Sequence, residues 1–161
     1  MKLWWALALS ACAPEGEHAT AIAISVKSEL ALRALDYRVY RANADLGSAL
    51  PLSSLTVTEA QLAQPFVVVR GAADAFLISI EGYEDRTQPP VITYQAQVHF
   101  VPEQTMALRV LLARVCYQRD CGFPGLTCYG QSWGSTAAGT CAAIPTPELV
   151  QVTRVGEESD W

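Results

Sequence analysis

The residues of this chain best suited to chemistry are its five cysteines, which divide by position into one and four. Cys12 stands near the N-terminus, and the others follow the spacing Cys116-x4-Cys121-x6-Cys128-x12-Cys141. Structural zinc sites use close pairs such as C-x2-C, because two thiolates on one tight turn can reach one tetrahedral ion, and no such pair occurs here. In an exported protein, four cysteines in a glycine-rich segment predict two disulfides, with no metal and no cofactor.

The spacing of the four clustered cysteines allows three pairings. The interleaved order, Cys116–Cys128 with Cys121–Cys141, is favoured because many small extracellular modules use it, although spacing alone leaves the other two open. Each bridge should stabilise the segment by roughly 3 kcal/mol in the loop-entropy model.

The N-terminus has the layout of an export signal. Met1-Lys2 is followed by the apolar run Leu3–Ala11, which ends at Cys12. The run is too short for a transmembrane helix, which needs about 20 apolar residues. We therefore expect export without a membrane-spanning segment.

The end of that run, Leu9-Ser10-Ala11-Cys12, resembles the bacterial lipobox. In that family the signal is cut just before the cysteine, whose thiol carries a diacylglyceryl group. The resemblance implies a signal peptide over residues 1–11, a linker over 12–19 after a lipidated Cys12, and the membrane as a partner. Two or more acyl chains hold a protein stably on a membrane, whereas one does not.

The body of the chain shows the two-residue alternation of strands that bury one face. The clearest case is the segment 92–100, in which Ile92, Tyr94 and Ala96 alternate with polar residues. Similar or continuously apolar segments are 22–26, 35–40, 66–69, 76–80 and 106–112. About seven strands without interleaved helices predict an all-β, antiparallel immunoglobulin-like or transthyretin-like sandwich over residues 20–114.

The remaining local patterns complete this division of the chain. Residues 115–161 should form a small disulfide-rich lobe with an acidic tail. Thr58 to Gln61 could be a capping box opening no more than one helical turn before Pro65, and Glu29 to Ala34 is a helix candidate by composition.

The layout as a whole supports a second resemblance. It comprises the lipobox, the strand at residues 21–30, the run at 98–103 leading into 108–112, and the four C-terminal cysteines. This arrangement looks like that of uncharacterised lipoproteins of myxobacteria and their relatives. The resemblance implies a surface or periplasmic lipoprotein and carries no catalytic residues.

Charge and motifs argue against two large classes of function. Eleven basic against sixteen acidic residues give a net charge of −5, which disfavours nucleic acid as a partner. Gly130 to Gly134 fits the G-x-S-x-G pattern around Ser132, but it lies in the cystine-rich loop and the chain has only His18 and His99 to serve as a base. We therefore expect that this protein is not an enzyme.

Two further groups of residues are candidates for binding. Glu81, Glu84 and Asp85 could suggest calcium, but they match no EF-hand spacing and favour a solvated turn. Tyr129 and Trp133 could be held towards solvent by the disulfides as ligand contacts, or could pack the loop against the sandwich.

The sequence thus predicts a lipid-anchored protein of the bacterial cell envelope, on the outer membrane, with a non-enzymatic binding, adhesion or structural role. Its partner would be an envelope protein or a glycan. The alternative is a secreted or periplasmic carbohydrate-binding module or inhibitor that uses the aromatic cystine loop.

Overall fold

Two four-stranded sheets and a two-stranded hairpin make up the protein in a computed structural model, which describes residues 20–62, 64–121, 125–129 and 139–152. The predicted fold class, an all-β sandwich with a small C-terminal disulfide-rich lobe, is confirmed. The strands are β1 (Ala21–Ser28), β2 (Ala34–Arg41), β3 (Ser53–Thr58), β4 (Phe66–Val69), β5 (Ala75–Tyr83), β6 (Ile92–His99), β7 (Thr105–Leu112), β8 (Leu126–Tyr129), β9 (Thr140–Ala143) and β10 (Val150–Gln151). Short 3₁₀ helices lie at Glu59–Gln61 and Arg114–Cys116.

The first sheet has the order β10-β7-β1-β4, and the second has the order β3-β2-β5-β6. Neighbouring strands are antiparallel with one exception, the parallel pair of β1 and β7, which runs from Ala21 opposite Thr105 to Ser28 opposite Leu112. Parallel strands cannot be joined by a tight hairpin and need a long crossover. Here the strands of the second sheet, together with β4, form that crossover.

One hydrophobic core joins the two sheets. Alternation along each strand supplies its members, among them Ile22 and Ile24 of β1, Tyr37 of β2 and Ile78 of β5, all fully buried. The ring of Tyr37 lies 4.9 Å, centroid to centroid, from that of Phe66 on β4, which is a direct contact between the sheets. The apolar residues that alternate along each strand of the sequence are therefore the residues that form the core.

Three local features of the fold bear on the sequence-based predictions: the segment before β2, the turn after β3, and β3 itself. Residues 29–33 form bends and irregular backbone and Ala34 begins β2, so the helix suggested at Glu29 to Ala34 is wrong. The turn at 58–61 is confirmed, since the Gln61 side chain accepts a hydrogen bond from the Thr58 backbone at 3.2 Å. Strand β3 was not predicted, because only Leu55 and Val57 alternate with hydroxyl residues in a mostly exposed segment.

The chain leaves the sandwich after β7, forms the β8-β9 hairpin, and returns. Val150 of β10 pairs with Ala107 of β7, so the segment that follows the lobe closes the edge of the first sheet. In the described part of the chain, no helix has the length and apolar character needed to cross a membrane.

Candidate functional site

Two disulfides frame the C-terminal lobe. Cys116 is bonded to Cys128, with Cα atoms 5.8 Å apart, and Cys121 to Cys141, with Cα atoms 5.5 Å apart. The favoured interleaved pairing is therefore confirmed. Cys128 and Cys141 lie opposite each other on β8 and β9, so each strand of the hairpin is tied separately to the segment after β7.

Gly139 lies where this framework is most crowded. A Cβ atom at this position would stand 2.5 Å from Cys128 Sγ, 2.7 Å from the Val115 carbonyl oxygen and 3.0 Å from Cys116 Sγ. The Gly139 N–H also donates to the Val115 carbonyl at 3.2 Å. Only a residue without a side chain allows the hairpin to pack this closely on the disulfide.

The lobe is fastened along the edge of β6. Thr127 is only 2% exposed, and its hydroxyl oxygen accepts a hydrogen bond from the Gln95 N–H at 3.0 Å. The Gln97 N–H donates to the Pro145 carbonyl at 2.8 Å. Unpaired strand edges invite association with other chains, and here the protein's own lobe satisfies part of the edge.

A cleft of about 820 Å³ opens between the lobe and one end of the sandwich. Its walls are the turn that follows β5, the outer side of β6, the segment at 118–121, and β8. The polar residues that line it are Glu84, Asp85, Gln88, Thr93, Gln95, Gln118, Arg119, Asp120 and Thr127. The apolar lining includes Pro89, Pro90, Val91 and Leu126. Cavities that hold small ligands have volumes of about 300–1,000 Å³ and combine apolar walls with a few polar groups.

The turn on one side of this cleft is held in shape by its own hydrogen bonds. The Asp85 carboxylate accepts from the Thr87 N–H at 2.9 Å and from the Thr87 hydroxyl at 2.8 Å, which together hold the pKa of Asp85 below its usual value. The Tyr117 hydroxyl donates to Glu84 at 3.0 Å, and this bond raises the pKa of Tyr117. The segment at 117–118 is thereby joined to the turn by a direct hydrogen bond.

The acidic group considered for calcium does not converge on one point. Glu84 and Asp85 lie on the exposed turn, as predicted, whereas Glu81 is half-buried on β5. Glu81 binds Arg38 at 2.8 Å and accepts a hydrogen bond from the Tyr83 hydroxyl at 2.6 Å. Among the residues that the structure describes, no cluster of three or more histidine, cysteine or acidic side chains could hold a metal ion.

A charged network on the outer face of the second sheet lies beside this turn. Asp36 accepts a hydrogen bond from the Thr56 hydroxyl at 2.7 Å and from Arg86 at 2.7 Å. Burial raises the pKa of Asp36, but these two hydrogen bonds and the positive charges of Arg86 and Arg38 outweigh it, so the pKa lies below its usual value.

Tyr83 connects this network to the acidic residues of β5. Burial and its hydrogen bond to Glu81 raise the pKa of Tyr83 to about 12. The guanidinium carbon of Arg86 lies 5.3 Å from the centre of the Tyr83 ring. The network therefore fixes the arginine at the start of the turn that forms one wall of the cleft.

The predicted site residues have different outcomes. Cys12, Trp133, Ser132 and His18 lie outside the described residues, and the side chain of Tyr129 does too. Lipidation and aromatic ligand contact thus stay predictions. His99, at the exposed end of β6, lies on the polar side of its strand as expected.

Sequence reasoning missed the residues that shape the cleft and fasten the lobe. No pattern in the four-residue strand β8 marks Thr127 as buried, and Gly139 resembles any loop glycine. Only the adjacent cysteines, Cys128 and Cys141, could have drawn attention to these positions.

No protein-family model, curated protein or solved structure matches this chain.

Proposed function

We propose that this protein is a lipid-anchored component of the bacterial cell envelope with a non-enzymatic binding role. The observation that carries the proposal is the disulfide pair that frames the C-terminal lobe, Cys116–Cys128 and Cys121–Cys141. Structural disulfides persist in oxidising compartments outside the cytosol. The lipobox-like sequence Leu9 to Cys12 then supplies the means of attachment.

The anchor is tested by expressing the full chain in a bacterium that processes lipoproteins, with Cys12 intact or changed by Cys12→Ser. We expect the unaltered protein in the membrane fraction, with an N-terminal peptide that starts at an acylated Cys12. The Cys12→Ser variant should lack this peptide in mass spectra. An unmodified Cys12 in soluble, folded protein would contradict the anchor.

The cleft beside the lobe supports a second, more specific candidate, the recognition of a glycan. Amide side chains of Gln88, Gln95 and Gln118 offer both donors and acceptors, which suits the hydroxyl groups of a sugar. The exposed apolar surface of Pro89 and Pro90 would pack against the C–H faces of the ring. Because the Asp85 and Glu84 hydrogen bonds hold the turn in shape, little ordering would be needed on binding.

Binding is tested by calorimetry with soluble oligosaccharide fragments of the bacterial cell wall. The Gln88→Ala and Gln118→Ala variants should each weaken binding about tenfold, the loss of roughly one net hydrogen bond. The matched control is Gln64→Ala, an exposed glutamine between β3 and β4 that does not line the cleft. Absence of binding by the unaltered protein would exclude the glycan role and favour adhesion through protein partners.

A further inference from the structure

One end of the sandwich carries both the start of the first strand and an exposed apolar loop. Ala21 begins β1 opposite Val69 and Thr105. The short segments 70–74 and 100–104 lead from these positions to the adjacent ends of β5 and β6. Phe76 at the start of β5 in turn pairs with Arg41, the last residue of β2. The segment between β2 and β3, residues 42–52, therefore lies at the end where the chain enters the sandwich.

The loop between β2 and β3 presents two leucines to solvent. Leu50 is 88% exposed and Leu52 is 59% exposed, separated by Pro51. Val69, which ends β4 at the same end of the molecule, is 65% exposed. Single exposed apolar residues are ordinary, whereas a contiguous exposed apolar patch indicates an interaction surface, and Leu50, Pro51 and Leu52 are contiguous in the chain.

Internal hydrogen bonds fix the shape of this loop. The Asp45 carboxylate accepts from the Gly47 N–H at 3.0 Å and from the Ser48 hydroxyl at 2.9 Å. The Leu52 N–H donates to the Val39 carbonyl at 2.7 Å, which closes the loop against β2. The loop is thus held by hydrogen bonds on both sides of Leu50, while the side chains of Leu50 and Leu52 remain exposed.

The length of chain between Cys12 and Thr20 limits how far the sandwich can lie from a lipid on Cys12. Thr20, the first described residue, is eight residue steps from Cys12, and an extended chain spans at most about 3.3–3.6 Å per residue, or about 26–29 Å in all. A lipid on Cys12 would therefore keep the loop close to the bilayer. Such confinement replaces a search in solution by a high effective concentration, so that a weak contact becomes populated.

We propose that Leu50 and Leu52 form a tip that inserts into the phospholipid surface to which Cys12 is anchored. The inference rests on the proposed function, because it needs the anchor. Its consequence is orientation: the turn after β5, which lines the cleft, lies at the opposite end of β5 and therefore faces away from the membrane.

The test places an environment-sensitive fluorophore at the tip of the lipidated full chain. The variant Leu50→Cys is labelled and reconstituted in vesicles of phosphatidylethanolamine and phosphatidylglycerol, and Gln88→Cys on the opposite turn is the matched control. A second tip position, Leu52→Cys, guards against mispairing of the added thiol, and peptide mapping checks both native disulfides. Mass spectra of the same sample report acylation of Cys12.

Insertion predicts blue-shifted emission and at least a twofold quenching by lipid-borne quenchers at positions 50 and 52, with neither effect at position 88. If Cys12 is acylated and the protein is bound to vesicles while both tip labels remain in water, the insertion is overturned and the anchor stands. If Cys12 is unmodified and the protein does not bind vesicles, the proposed anchor and the insertion both fail.

Discussion

Asp36 shows how a single residue can be both charged and part of the packed structure. It is only 8% exposed, yet Thr56 and Arg86 donate hydrogen bonds to its carboxylate. A buried charge is tolerated when such donors replace water. The depressed pKa of Asp36 means that the folded state favours the ionised form more than the unfolded state does.

We predict that Asp36→Asn destabilises the protein by about 2 kcal/mol near neutral pH, the value of hydrogen bonds to a charged group. Since the folded pKa is lowered, the contribution of the carboxylate is present above the unfolded pKa and is lost as pH falls through the folded pKa. The free energies of unfolding of the variant and the parent, measured in urea, should therefore converge at acid pH.

The matched control for this experiment is Asp74→Asn. Asp74 forms an exposed ion pair with Arg70, and such pairs contribute little. An equal loss for Asp36→Asn at neutral and acid pH would mean that packing, and not charge, explains the effect.

At the scale of elements, the lobe acts as a cover for the exposed edge of β6. Hydrogen bonds from Gln95 and Gln97 run to the lobe and to the segment after it, where a further strand would otherwise pair. At the opposite edge of the same sheet, β3 carries serine and threonine residues and remains mostly exposed. The lobe thus covers the β6 edge of this sheet, whereas the β3 edge is exposed and rich in polar residues.

We predict that Thr127→Val loosens the lobe while the sandwich stays folded. The substitution keeps the shape of the side chain but leaves the Gln95 N–H without its acceptor, at a cost of about 1–3 kcal/mol. The rate of amide hydrogen exchange at Gln95 should rise, because its N–H loses the hydrogen bond to Thr127. Thr140→Val, at an exposed position of the same hairpin, is the control and should leave that exchange rate unchanged.

For the whole molecule, the Cys116–Cys128 bridge closes the lobe and also packs against the sandwich. Cys116 and Cys128 are buried and belong to the same hydrophobic cluster as the strands of both sheets. The main part of that cluster, however, comes from β1, β2, β5, β6 and β7. The five strands of the sandwich therefore supply most of the core, and the lobe adds to it.

We predict that reduction of both disulfides lowers the free energy of unfolding by about 3 kcal/mol per bridge, because the unfolded chain gains freedom. Urea titrations with and without a reductant measure this difference, and far-ultraviolet circular dichroism should show that the sheets persist in the reduced protein. An unchanged unfolding midpoint after complete reduction would contradict a stabilising role for the bridges.

The sequence predicted features that depend on neighbouring residues in the chain. The strand around Ile92 to Phe100 was recognisable because alternation is a local property, and the capping turn at Thr58 likewise needs only four residues. Strand β3 escaped because Val57 is its one buried residue, which is too little to give a recognisable pattern. The parallel pairing of β1 with β7 escaped for another reason, since nothing near Ala21 indicates a partner at Thr105.

By itself, then, the sequence determined the fold class, the positions of most strands, the presence of two disulfides and the expectation of an N-terminal anchor at Cys12. The tertiary structure alone decided that β7 lies parallel to β1, that Thr127 closes the β6 edge, and that Gln88 and Gln118 line one cleft. The physical reason is that the burial of a strand follows from the alternation of its own residues. Strand pairing and clefts depend instead on how segments distant in sequence pack together.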